Sequence, residues 1–189
     1  MMAASPNYIP PEYIEFNGKQ YVALDLPFTK DTVCRIKFNM IKPTGSCIMG
    51  SSSAFRFFNA RGRTYLDWGV SRHSGGGRIY ESAGKTPAGK TFFREFGNNY
   101  VKDADTGEIL VSGEKYGDSV IYDDNPICIM GNAFQECATG IVYSAEVIQN
   151  GEIVRSLLPD IGTAGELGFH DTITGKFYRV INTATASVE

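Results

Sequence analysis

The fold class this sequence predicts is an antiparallel all-β sandwich, and three observations predict it. Short apolar–polar alternations of period two recur along the chain, each closed by a turn signal. The 21 glycines stand beside 12 Phe and 10 Tyr, pairing turn formers with the bulky residues that strands favour. No window longer than ~10 residues shows a helical period, so no crossover helix is available to build a parallel sheet. With 189 residues, 42% of them hydrophobic, the chain suffices for one domain with a substantial core.

The elements follow in order. Residues 1–11, ending in Pro10-Pro11, read as a flexible N-terminal arm, either a tail or a tether onto a partner. Glu12 to Tyr21 reads as two short strands joined by a turn at Asn17-Gly18. Residues 20–26 and 33–41 are rich in β-branched and aromatic side chains. In the second run Cys34, Ile36, Phe38 and Met40 alternate with Val33, Arg35, Lys37 and Asn39, which assigns the first set to the core and the second to water. Strands are expected at 46–50, 54–59 and 64–70, with the turn Ala60-Arg61-Gly62-Arg63 between the last two. Further strands are expected at 78–81, 90–96, 99–102 and 108–112. Hairpin turns are read at Phe96-Gly97-Asn98-Asn99-Tyr100 and from Asp103 to Glu108, where Asn and Gly tolerate positive φ. Residues 126–131 and 140–149 come next, and Gln149-Asn150-Gly151-Glu152 is an Asn-Gly hairpin signal leading into Ile153-Val154. The turn Thr172 to Lys176 precedes a last strand at 177–181. Segments 71–77 and 116–125 read as longer loops and 184–189 as a C-terminal tail, so the sandwich is expected to span 12–183.

Composition narrows the function classes. Eighteen basic against 21 acidic side chains give a net charge of −3, without the basic face that nucleic acid requires and without a polybasic membrane patch. No apolar run approaches the ~18 residues of a membrane-spanning helix. Residues 1–7 lack the basic and apolar regions of a secretory signal. The four cysteines, Cys34, Cys47, Cys128 and Cys137, form no CxxC pair, and two histidines are too few and badly spaced for a zinc site. Cys34 and Cys128 lie in apolar runs and read as small buried hydrophobes, consistent with synthesis in a reducing cytoplasm.

The two ends carry a resemblance. Glu12-Tyr13-Ile14-Glu15-Phe16-Asn17-Gly18-Lys19-Gln20-Tyr21 opens the chain. Tyr143 to Pro159 supplies an aromatic-rich strand, an Asn-Gly hairpin and Val154-Arg155-Ser156-Leu157-Leu158-Pro159. His170-Asp171-Thr172-Ile173-Thr174-Gly175-Lys176-Phe177-Tyr178 closes it, with His170 where the family often has Tyr. These segments, roughly a third of the chain, resemble the concanavalin A-like (LamG-like) jelly-roll modules of phage structural proteins and gut bacterial surface proteins. The resemblance implies a two-sheet jelly-roll sandwich whose first and last strands pair in one sheet. It further implies a non-catalytic virion component, such as a capsid decoration, head-fibre or tail-appendage protein, assembled in the bacterial cytoplasm. Partners would be other virion proteins or copies of the chain in an oligomer. The alternative it implies is a carbohydrate-binding lectin module, on a virion or a bacterial cell surface, that takes host or mucosal glycans through edge loops or the concave sheet.

Candidate sites were weighed on their chemistry. Glycosidases of this fold place alternating carboxylates, Glu-x-Asp-x-(x)-Glu, on one strand, and no such triple occurs. Glu12 and Glu15 fall on opposite strand faces, and His170 and Asp171 are neighbours that point oppositely. The glycines after His73-Ser74 lack the Lys-Ser/Thr of a phosphate loop. Calcium is the cofactor the sequence leaves open: Asp118, Asp123, Asp124 and Asn125 form one acidic loop, and Asp103, Asp105 and Glu108 another, although Asp and Gly also make turns on their own. Sugar binding needs an exposed ring flanked by polar groups. Trp68 shares a strand face with Leu66 and Val70 and reads as core, which leaves Tyr80, Tyr100, Tyr116 and Tyr122 near loops. Arg61 and Arg63, with Arg56, Arg72 and Arg78, read either as solvated outward positions or as a cationic patch for an acidic glycan or a partner.

Overall fold

A computed structural model describes residues 9–42, 44–51, 55–60, 63–68, 77–82, 84–97, 99–113, 123–133 and 135–183. Among them run sixteen strands: β1 (Ile14–Asn17), β2 (Gln20–Phe28), β3 (Val33–Lys42), β4 (Thr44–Gly50), β5 (Phe55–Ala60), β6 (Arg63–Trp68), β7 (Gly77–Tyr80) and β8 (Thr91–Gly97). β9 (Tyr100–Asp103), β10 (Ile109–Ser112), β11 (Asp123–Ile129), β12 (Thr139–Gln149), β13 (Glu152–Ile161), β14 (Leu167–Asp171), β15 (Phe177–Arg179) and β16 (Ile181–Asn182) complete the order. They form two antiparallel sheets packed as a sandwich, as the strand pattern predicts and as a jelly-roll requires. The first sheet runs β10-β9-β8-β3-β12-β13-β14-β15, with β1 also on β12; the second runs β16-β2-β11-β4-β5-β6-β7.

The period-two reading of β3 holds residue by residue. Cys34, Ile36, Phe38 and Met40 are fully buried, while Arg35, Lys37 and Asn39 face outward. Rings lock the sheets together: Phe28 of β2 stacks on Phe55 of β5 at 4.3 Å, and Phe57 of β5 stacks on Phe96 of β8 at 4.2 Å. All four are buried, and burying such a side chain stabilises by roughly 1.5–3 kcal/mol. The Asn150-Gly151 hairpin joins Gln149 to Glu152, with φ of 52° and 81°, the pair of positive values a two-residue turn demands.

The expected pairing of the chain ends is met by the second strand of the opening segment and not by the first: Gln20 and Tyr21 of β2 lie opposite Asn182 and Ile181 of β16. The Asn17-Gly18 turn carries the chain from one sheet to the other: β1 lies on β12, while β2 enters the second sheet between β16 and β11. The two end strands β1 and β16 therefore sit in different sheets. The reason is a shared edge: β1 covers Thr139 to Val142 of β12 and β13 covers Ala145 to Gln149, so β1 fills the edge that β13 leaves. β2 extends past the expected 26 to Phe28 because Pro27 meets Pro126 at a register shift, where neither residue has an amide hydrogen to leave unpaired.

The closing motif has a physical basis. Arg155, Lys176 and Tyr178 converge on Asp25 of β2, and Asp171 lies 3.6 Å from the Arg155 guanidinium. Lys176 Nζ donates to Asp25 Oδ2 at 2.7 Å, Arg155 Nη2 to Oδ1 at 3.1 Å, and the Tyr178 hydroxyl to Oδ1. Asp171 is fully buried and accepts the amides of Ser156 and Ile173 and the Thr174 hydroxyl. These bonds clasp the last hairpin of the first sheet to β2 of the second.

Candidate functional site

The outer face of β5, β6 and β7 carries the most distinctive surface among the described residues. In β5, Phe55 and Phe57 turn into the core, so Arg56, Phe58 and Ala60 turn out. In β6, Thr64 and Leu66 are buried inward, and Arg63, Tyr65 and Asp67 face out. Pairing then aligns these residues in rows across the strands. One row is Phe58, Tyr65 and Tyr80; the next is Arg56, Asp67 and Arg78.

The ring row is a continuous ladder. Phe58 and Tyr65 stack at 4.9 Å with 8° between planes, and Tyr65 meets Tyr80 at 5.5 Å. Phe58 is 9% exposed beneath the Arg56 and Arg78 guanidiniums, which lie 5.4 and 5.3 Å from its ring. Exposure rises along the ladder to 52% at Tyr80, on the edge strand.

The charged row is closed on itself. Arg78 grips Asp67 with Nε and Nη2 at 2.5 and 2.7 Å, and Arg56 Nη2 reaches Asp67 Oδ2 at 2.8 Å. Arg56 Nη1 also holds Glu136 at 2.8 Å. The hydrogen bonds it donates to Asp67 hold the Arg78 guanidinium above its ordinary pKa. Arg63 differs: its guanidinium lies 5.4 Å over the Tyr80 ring, and its Nε has no hydrogen-bond partner.

The sequence-predicted residues distribute as follows. Tyr80 and Arg63 are brought together, and Arg56 and Arg78 join them on the same face. Tyr100 lies in the other sheet, where its hydroxyl donates to Glu95 at 2.7 Å. There Glu95 also takes Arg35 at 2.7 Å and Lys102 at 2.6 Å, and Arg35 reaches Glu146 at 3.1 Å. Burial, and then the bond to Glu95, pushes the Tyr100 hydroxyl well above its usual pKa. Tyr116, Tyr122, Arg61, Arg72, His73 and Asp118 lie outside the described residues, as do the side chains of Asp123 and Trp68. Asp124 and Asn125 stand exposed on β11. Sequence reasoning missed Phe58, Tyr65 and Asp67. The signal was present: Ala60-Arg61-Gly62-Arg63 reads as a turn, and a hairpin that pairs Ala60 with Arg63 also pairs Phe58 with Tyr65 and Arg56 with Asp67.

Among the described residues no group of three or more His, Cys, Asp or Glu side chains is placed to hold a metal ion. In the Asp103 turn the carboxylate is already committed: Oδ1 accepts the amides of Asp105 and Thr106 and the Thr106 hydroxyl, and Oδ2 accepts Arg94 at 2.6 Å. That turn does not fit a calcium ion without losing its own bonds. A cleft of about 370 Å³ opens elsewhere, on the first sheet beside Pro10, Tyr143, Leu158 and His170. Its polar groups are few, with His170 Nδ1 3.9 Å from Asp160.

Comparison with protein-family models finds no match, and comparison with curated proteins finds none either.

Proposed function

We propose that this chain is a non-catalytic, concanavalin A-like binding module that adheres to glycans through the outer face of β5, β6 and β7. The observation that carries this reading is the Phe58–Tyr65–Tyr80 ladder ending in a half-exposed ring. Cross-strand stacking by itself stabilises a sheet, but that need is met by burying the rings. Tyr80 instead stands half exposed at the sheet edge, with the Arg63 guanidinium over its ring. Sugars present C–H faces that stack on rings, and hydroxyls that take hydrogen bonds from such donors.

Among the described residues, the carboxyl groups displaced from their ordinary pKa are held ionised by their neighbours. A glycosidase needs one carboxyl held protonated near neutral pH, with a raised pKa. The displaced carboxyls of Asp25, Glu95, Asp103 and Asp171 all move downward. At Glu95, Asp103 and Asp171 burial opposes ionisation, and bonds from cations, hydroxyls and amides outweigh it. At Asp25, Lys176 and then Tyr178 lower it.

The end-segment resemblance supports a setting on a phage particle, where an adhesive module would meet host or mucosal surfaces. Detection of the polypeptide by mass spectrometry in purified virions tests that setting. Binding itself is tested on a broad glycan array, with calcium and with chelator, for the wild type and Tyr80→Ala. Selective binding reduced about tenfold by Tyr80→Ala is expected, the scale of one anchoring aromatic. Silence from folded wild type, or binding indifferent to Tyr80, overturns the reading.

A further inference from the structure

We infer that the ligand's chemical class is an anionic glycan, and that Arg63 reads its carboxylate or sulfate beside the sugar ring stacked on Tyr80. This rests on the glycan reading above and goes beyond it in naming the charge and the residue that selects it.

The three outward arginines of the face are not equivalent. Arg56 spends both terminal nitrogens, one on Asp67 and one on Glu136. Arg78 spends Nε and Nη2 on the two oxygens of Asp67. Either would have to break a bond to Asp67, whose side chain is 11% exposed, before it could turn to a ligand. Arg63 forms no ion pair with any described residue and holds its charge over the exposed end of the ladder. Among the described residues of this face, three cations stand against two carboxylates, on a chain whose net charge is −3.

Geometry sets what such a charge recognises. Tyr80 and Arg63 lie on neighbouring strands, with the guanidinium carbon over the ring at 5.4 Å from its centroid. A sugar that packs against the exposed part of Tyr80 therefore lies beside the Arg63 charge. A planar guanidinium fork fits a carboxylate or sulfate in two-point contact and fits a lone hydroxyl less well. A neutral sugar would leave the cation uncompensated, so the face discriminates by charge as well as by shape.

The test uses matched pairs: uronic, sialic and sulfated glycans, each beside its methyl-esterified or desulfated twin, titrated into the intact chain. Esterification or desulfation removes the charge and keeps the stacking ring. An acidic member is expected to bind about 2- to 5-fold more tightly than its neutral twin, the scale of a partly exposed ion pair. The preference shrinks with added salt. Arg63→Gln removes the preference within each pair; Arg63→Lys retains part of it. The carboxylated and sulfated arms identify which anion is read. Equal binding within every pair, or a preference that survives Arg63→Gln, overturns this inference while the glycan reading stands. Inorganic polyphosphate binding as tightly as the best acidic glycan also overturns it, since charge alone would then be read. If no member of any pair binds, both readings fall together. Circular dichroism and thermal melting of each variant confirm that it is folded.

Discussion

Replacing Asp25 with Asn tests whether the closing motif is a clasp between sheets. Three donors converge on this carboxylate, from Lys176, Arg155 and Tyr178. Hydrogen bonds to a charged group contribute roughly 1.5–3 kcal/mol when shielded from water. Asp25 and Lys176 are 47% and 50% exposed, so screening reduces that contact to about 0.5 kcal/mol. Arg155 and Tyr178 are better shielded, at 14% and 5%, and their contacts retain about 1 kcal/mol in all once Asn is allowed as a neutral acceptor. The expected loss is therefore about 1–2 kcal/mol, or roughly 2–6 °C in Tm for a chain of this size. The pH dependence gives a sharper signature. Lys176 and Tyr178 hold the folded carboxyl well below its usual pKa. Stability from a depressed carboxyl is complete above the unfolded value of ~3.9 and is lost as pH falls toward the folded one. Urea melts of wild type and Asp25→Asn should differ by a constant amount from pH 7 to pH 5, and the gap should narrow from about pH 4 to pH 2. A gap under about 0.3 kcal/mol, or one that does not change with pH, would refute the clasp.

Phe57→Ala removes a ring stacked on Phe96 in the middle of the core and should cost about 3–5 kcal/mol in urea melts, with Phe58→Ala, on the outer face, costing less. Gly50→Ala should destabilise the second sheet by more than about 1 kcal/mol, because a Cβ there would stand 2.5 Å from the Phe55 carbonyl oxygen and 2.8 Å from the Cys47 sulfur; a melt matching wild type would contradict the packing around β4. All four thiols are buried, and burial pushes the Cys137 thiol up to about 11, so a colourimetric thiol reagent at pH 8 should react slowly with the native chain and with four thiols after denaturation.

Local chemistry in the sequence carried much of this architecture. The alternation through β3 identified its buried face, and Asn150-Gly151 marked the hairpin of β12 and β13, because both depend on neighbours in the chain. The sheet to which each strand belongs was not legible: β1 and β2 follow one turn yet enter different sheets, a choice set by the free edge of β12. The closing motif was visible as residues and not as a device, because Asp25 lies 130 to 153 residues from Arg155 and Tyr178. The site divided the same way. Tyr80 and Arg63 were named as separate candidates, and the turn signal from Ala60 to Arg63 already implied the pairing of Phe58 with Tyr65. What joined Tyr80 to them was the register of β7 on β6, across a connection at 69–76 whose length specifies no pairing.

The most direct test of the central claim is a backbone amide NMR titration of the intact chain with the glycan that binds best on the array. Binding through the proposed face predicts saturable shifts concentrated at 56–58, 63–67 and 78–80, abolished or weakened in Tyr80→Ala. Shifts centred instead on Tyr100 and Lys102, or on the cleft at Tyr143 and His170, would contradict it.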